Sequence, residues 1–307
     1  MYHILLYYCY TPIADPEQFA AEHLKFCKSL NLKGRIIVAE EGLNGALSGT
    51  VDECKIYMDA LHADERFADI DFKIDEHPTH AFEKIFVRHK SEIVHSGLRD
   101  PNEIDPRRRT GVHIDGETFL KMKEDPDVVV LDVRSDYEHQ VGHFKGALTL
   151  DIENFRDFPT KVEALKRDLK DKKIITYCTG GIKCEKASAL LLERGFNDVY
   201  QLHGGIIKYA KETGGKDFDG VCYVFDGRVT VPVNEVNPSI VSTCHICGTL
   251  STRMINCANP ECNEHLPMCE ACGWEMNGAC SAGCKEHPRA RTYDGTGYYI
   301  KPGHLPS

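Results

Sequence analysis

No apolar run in the 307-residue chain approaches the roughly 18–20 residues that a membrane helix requires, so a helical membrane span is excluded. An excess of basic residues is lacking too: 37 Lys and Arg against 47 Asp and Glu leave a net charge of −10. That excludes a general basic coat for nucleic acid while leaving room for a local basic path. The opening "MYHILLYYCY" has neither a basic n-region nor a small-residue cleavage site, and its aromatics suit a strand better than a signal peptide. There is no flavin, haem or P-loop fingerprint, no 2-His-1-carboxylate set and no repeat of solenoid period. The expectation is a cytoplasmic globular protein with no membrane contact and no evident obligate protein partner. Its 42% hydrophobic content supplies cores for two or three domains.

Cysteine is plentiful and unevenly placed: eight of the 14 lie within residues 244–284. A reducing compartment argues against a disulfide scaffold. The spacing C-x2-C-x9-C-x4-C-x6-C-x2-C-x7-C-x3-C, over Cys244, Cys247, Cys257, Cys262, Cys269, Cys272, Cys280 and Cys284, matches two tetrahedral four-thiolate zinc sites. Sequential pairing is open, and so is interleaving of the two C-x2-C knuckles in one site with Cys257, Cys262, Cys280 and Cys284 in the other. Interleaving is favoured, because two knuckles commonly face each other across one ion. A zinc closed by four thiolates has no open position, so the expected role is structural.

Residues 1–95 read as β-α-β-β-α-β, a ferredoxin-like split βαβ domain. Asp15 is the expected N-cap of its first helix, a tight turn is expected over Glu41–Gly45, and the final strand is expected within 81–94. Residues 96–112 read as a linker carrying Arg107, Arg108 and Arg109, either solvated surface or a phosphate contact. Residues 113–235 alternate apolar strands ("DVVVLDVRS", "KKIITYC", "VYQLHGG") with helices over 116–124, 160–169, 184–195 and 205–213, an α/β domain with a parallel sheet. Residues 236–307 hold the cysteine-rich module and a polar tail.

"YCTGGIKCEKASALL" concentrates the chemistry. Cys178 falls at a strand's end before a helix N-terminus, where the dipole and free N–H groups favour thiolate. Thr179, Gly180, Gly181, Ile182 and Lys183 can curl into a nest of inward N–H groups, and Lys183 adds positive charge. Cys184 is a candidate resolving thiol, or a packing residue.

"LDVRSDYEHQVGHFKGA" and "YCTGGIKC" resemble the strand, turn and cysteine loop of the rhodanese family. The likeness implies that Cys178 is the reactive cysteine, with Asp132, Arg134 and Gly142-His143 structural. The six-residue loop resembles the sulfurtransferase type, with Lys183 where many rhodaneses carry arginine. "VAEEGLNGALSGT", "DPRRRTG", "YCTGGIKCEKAS" and the cysteine-rich tail together resemble the rhodanese-like tRNA uridine-34 hydroxylases, over about residues 1–284. That likeness implies an oxidoreductase converting wobble uridine in the tRNA anticodon loop to 5-hydroxyuridine. Molecular oxygen would be co-substrate, with an unidentified electron donor. Two rivals are a persulfide-relay or tRNA-thiolating sulfurtransferase and a non-catalytic RNA-binding zinc adaptor.

Overall fold

The computed structural model describes residues 1–297; the end of the expected polar tail lies outside the described residues. The N-terminal domain runs β1 (Tyr2–Tyr10), α1 (Pro16–Ser29), β2 (Lys33–Ala39), β3 (Gly42–Thr50), α2 (Val51–His62), β4 (Lys73–His77) and β5 (Ile85–His89). The sheet order β4-β1-β3-β2-β5 contains the antiparallel 4-1-3-2 arrangement of a ferredoxin-like fold, with β5 added parallel to β2. Asp15 caps α1 by accepting the Gln18 N–H, and Thr50 and Glu53 form a reciprocal capping box on α2.

Two expectations for this domain need correction. The fourth strand is Lys73–His77, and the segment within 81–94 supplies an extra edge strand. Asn44 and Gly45 lie inside β3 opposite Tyr8 and Tyr7, so the β2–β3 turn sits at Glu40-Glu41. Gly45 has no Cβ because Tyr7 occupies that space: a Cβ there would stand 2.3 Å from the Tyr7 ring.

Side chains alternate along β1. Leu5 and Tyr7 join a core with Ala20 and Cys27 of α1 and Cys54 and Tyr57 of α2. Leu6, Tyr8 and Tyr10 therefore project from the helix-free face of the sheet, and that face carries the second domain.

The second domain comprises β6 (Val112–Ile114), α3 (Gly116–Met122), β7 (Val128–Asp132), α4 (Asp136–Val141), β8 (Gly142–Phe144), α5 (Phe158–Leu169), β9 (Lys173–Tyr177), α6 (Ile182–Glu193), β10 (Val199–Leu202), α7 (Gly205–Thr213) and β11 (Phe218–Gly220). Its four-stranded sheet, β6-β10-β9-β7, is wholly parallel, and β11 pairs with β8. β6 begins inside the stretch expected to be linker. Two cores, one on Leu131, Ile174 and Leu191 and one on Phe119, Tyr177 and Tyr209, cover both faces of the sheet.

Short strands follow: β12 (Cys222–Tyr223) pairs with β13 (Thr230–Val231), and β14 (Met254–Asn256) with β15 (His265–Pro267). Helices α8 (Glu270–Glu275) and α9 (Ala282–Lys285) complete the cysteine-rich module. The module docks on α4, where the His265 and Tyr137 rings stack 4.7 Å apart. Among the described residues no helix is long and apolar enough to cross a membrane.

Candidate active site

β9 ends at Tyr177, which places Cys178 at the carboxyl edge of the parallel sheet, where open α/β folds collect ligands. Gly181 takes φ +98° to turn the chain into α6, and its N–H donates to the Cys178 Sγ at 3.2 Å. The backbone N–H groups of Lys183 and Cys184 and the Cys184 thiol lie close enough to favour the charged form of that sulfur. Gly205 at the start of α7 lets the chain pass close below: a Cβ there would stand 2.4 Å from the Cys178 carbonyl oxygen, which accepts the Ile206 N–H.

Burial alone would push the Cys178 thiol up, because it penalises the thiolate. The Cys184 thiol, the Lys183 charge and the loop N–H groups outweigh it and bring Cys178 from 9.0 down to about 7. Cys184 moves the other way, well above the ordinary thiol range, through its own burial and its role as donor to Cys178. The pair is thus a thiolate near neutrality held by a protonated thiol. The Lys183 ammonium is bonded to Glu138 of α4 at 2.8 Å, rather than directed into the loop.

Behind the loop, Asp132 accepts from Arg134 at 2.6 Å, Tyr177 at 2.7 Å and His139 at 2.9 Å, and Arg134 also donates to the Gly142 carbonyl. Burial opposes the Asp132 charge, but Arg134 and its other donors hold the carboxyl far below its usual range. The cluster ties β7, α4 and β8 to the residue preceding Cys178.

Helix α6 buries charge that a sequence pattern does not reveal. Glu185 accepts from Tyr8 at 2.9 Å, His113 at 2.8 Å, and Thr110 and Gln201 at 3.0 Å. The Lys186 ammonium lies between Glu92 at 2.7 Å and Glu41 at 2.8 Å, and donates to the Val94 carbonyl at 3.0 Å. "AEEGLN" of the first domain and "CEKAS" of the second are therefore two halves of one interface. The contacts across this interface were missed because Tyr8 and Glu92 lie 177 and 94 positions from Glu185 and Lys186. One signal was available: a strand apolar on both faces, as in "HILLYYCY", implies that both faces are covered.

The arginine triplet stands elsewhere. Arg107 is held by Asp105 at 2.8 Å, while Arg109 faces Glu193 at 3.8 Å, at the C-terminal end of α6. The cysteine loop is at the other end of that helix, roughly 17 Å away at 1.5 Å rise per residue. Arg108 lines a surface groove there with Asn102 and Ala189.

The eight tail cysteines gather in interleaved fashion: Cys244, Cys247, Cys269 and Cys272 in one cluster, Cys257, Cys262, Cys280 and Cys284 in the other, with the sulfurs of each within 4.8 Å of one another. Sulfur–sulfur separations of 3.7 Å (Cys247–Cys269), 3.8 Å (Cys262–Cys280) and 3.6 Å (Cys280–Cys284) suit a tetrahedral ion. Metal–sulfur bonds of about 2.3 Å put the sulfurs roughly 3.8 Å apart. Either cluster could hold a metal ion.

A UPF0176 acylphosphatase-like domain matches residues 2–93, a rhodanese-like domain matches 115–212, and a rhodanase C-terminal segment matches 219–285. The chain is 63% identical over 300 residues to a tRNA uridine(34) hydroxylase of Cytophaga hutchinsonii, covering 98% of this chain and 95% of that one. The chain belongs to the tRNA uridine(34) hydroxylase family. Relatives of the same name in Staphylococcus haemolyticus and Enterococcus faecalis are each 51% identical over 292 residues, covering 94% of this chain and 91% and 92% of theirs. In this hydroxylase-family chain, the three matched segments meet around one cysteine loop: β1 above it, the parallel sheet beneath it, and α4, braced by the cysteine-rich module, beside it.

Proposed function

We propose that this chain is a cytoplasmic oxidoreductase that hydroxylates C5 of the wobble uridine in the tRNA anticodon loop, with Cys178 as nucleophile. The observation that carries the reading is the Cys178 sulfur, held near neutrality in a nest of N–H groups at the carboxyl edge of the sheet. A thiolate adds to C6 of uracil and leaves enolate character at C5, which then meets an electrophilic oxygen. One atom of O2 enters C5 and the other leaves as water, with two electrons and two protons from an external reductant. Loss of the C5 proton and expulsion of the Cys178 sulfur from C6 restore the ring double bond. The loop N–H groups and the Cys184 thiol stabilise the sulfur anion as it departs.

The two cysteine clusters fit zinc, whose preference for four thiolates matches the donor set and the sulfur spacing. Zinc would supply folding energy to a module with few aliphatic side chains, and would brace α4 beside the loop. Arg107–Arg109, a helix length from Cys178, suit phosphates of the flanking RNA rather than the target base. Growth under 18O2, followed by mass spectrometry of tRNA nucleosides, tests the chemistry: 5-hydroxyuridine dependent on this chain should gain one 18O. Label arriving from water instead would overturn the oxygen-dependent reading, and a thiolated nucleoside in its place would favour the sulfurtransferase.

A further inference from the structure

Cys178 is closed off: only 2% of its surface is exposed. Its own domain's core packs on one side, with Leu131, Ile174 and Ala187, and the cover over the loop comes from the first domain. A Cβ on Gly180 would stand 2.8 Å from the Leu6 Cδ2, and one on Gly181 would stand 3.0 Å from the Tyr8 hydroxyl, so these side chains lie directly on the loop. β1 itself cannot withdraw, because it is paired along its length with β3 and over five residues with β4. Access by separating the domains would break the Lys186 cluster, the Arg228–Asp75 pair at 2.7 Å and the Lys208–Asp71 pair at 3.2 Å. Turning the Tyr8 side chain breaks one hydrogen bond, to Glu185 at 2.9 Å.

Tyr8 also has the surroundings of a base-stacking residue. It stands on an inner strand of the five-stranded sheet, on the face opposite α1 and α2, where the second domain's cysteine loop and α6 meet it; aromatic rings on such a sheet face are the ones RNA-binding sheets stack on bases. The Lys73 ammonium, buried and paired with Asp71 at 3.7 Å, lies 5.0 Å from the Tyr8 ring centroid and marks that ring's face as one that accepts a cation. Tyr10 follows on the same face, its buried hydroxyl without a hydrogen-bond partner among the described residues.

Building on the hydroxylation reading, we propose that Tyr8 is the gate and positioning residue of this site. Latched to Glu185, it closes the entrance over Cys178; released, its ring stacks on the extruded pyrimidine and sets C6 against the sulfur. The ligand class is a single unpaired pyrimidine nucleotide. Stacking fixes the plane of the base while leaving its edges to other contacts.

Two measurements on the full-length protein test this. The first is the rate of Cys178 carboxamidomethylation by iodoacetamide in Tyr8→Phe and Tyr8→Ala, which needs no RNA and holds whatever reaction the site performs. Phe retains the ring and loses the latch, so its rate should rise several-fold; Ala should raise it at least tenfold. Rates within twofold of wild type in both variants overturn the gate. The second is affinity for an anticodon stem–loop with uridine at its first anticodon position. Tyr8→Phe should bind within about twofold of wild type, whereas Tyr8→Ala should lose on the order of 10- to 100-fold, the loss expected for one base–aromatic stack. Faster alkylation with undiminished affinity in Tyr8→Ala would leave Tyr8 a mere cover and overturn the stacking role. Failure of the wild type to make 5-hydroxyuridine would instead strike the functional reading and leave the alkylation result standing.

Discussion

Replacing Lys186 by Met keeps most of the side-chain volume and removes the cation through which α6 joins the two domains. In the native protein this ammonium is 1% exposed and balances Glu92, itself 3% exposed, and the less buried Glu41. Taking away one partner of a buried ion pair leaves a carboxylate without compensation and costs about 3–5 kcal/mol. At roughly 2–4 °C per kcal/mol for a unit of this size, the melt of the joined domains should fall by about 6–20 °C at pH 7. The penalty has a pH signature. Burial alone would raise the Glu92 carboxyl, but Lys186, Ser96 and His95 hold it below its ordinary value of 4.5. The stability from that depression is present above the unfolded pKa and is lost as pH falls through the depressed one. In the variant the carboxyl stays buried without the ammonium and titrates higher, so acidification protonates it and narrows the gap to wild type. Circular-dichroism melts from pH 8 to pH 5 provide the assay. A variant melting within about 2 °C of wild type at pH 7, or a gap that widens on acidification, would refute the reasoning.

Iodoacetamide trapping of Cys178 in the wild type should rise with pH around a midpoint near 7, below an ordinary thiol at 9.0, and Cys184→Ala should move the midpoint upward by removing a neighbour that favours the thiolate. Elemental analysis should find two zinc ions per chain, and the double change Cys244→Ser/Cys269→Ser should cost one of them, since both sulfurs serve the same cluster. Loss of both ions would restore sequential pairing. Alanine at Arg107, Arg108 and Arg109 together should weaken tRNA binding by about 1–3 kcal/mol and flatten its salt dependence, measured by filter binding across salt concentrations. Unchanged affinity and slope would make the triplet plain surface.

The parts legible in the sequence were those with local signals. Asp15-Pro16 announced α1, the apolar runs announced β7 and β9, and the glycine pair after Cys178 announced a strand–turn–helix nest. β4 was not legible because "KIDEH" carries three charges and a histidine in five residues. What makes it a strand is pairing with β1, more than 60 positions earlier. β6 is three residues long at a sheet edge, and its first residue, Val112, falls in the expected linker because Val112 and His113 are exposed and only pairing with β10 makes the segment a strand. The largest gap concerned α6, where Glu185, Lys186 and Ser188 interrupt the apolar pattern of a helix that is buried at eight positions. Their charges and hydroxyl are satisfied by the other domain and by the segment before β6, a fact no helical periodicity contains. The same limit hid the roof over Cys178: the sequence places the cysteine, but only the tertiary fold sets Leu6 and Tyr8 above it.

Cys178 is proposed to be the nucleophile in hydroxylation of wobble uridine. The most direct measurement is nucleoside mass spectrometry of tRNA from cells whose own relative of this chain is deleted, complemented with the wild type or with Cys178→Ser at matched protein level and matched melting temperature. 5-Hydroxyuridine is expected with the wild type and none above background with Cys178→Ser, because a serine hydroxyl is not ionised at neutral pH and cannot add to C6. Undiminished 5-hydroxyuridine from the Ser variant would contradict it.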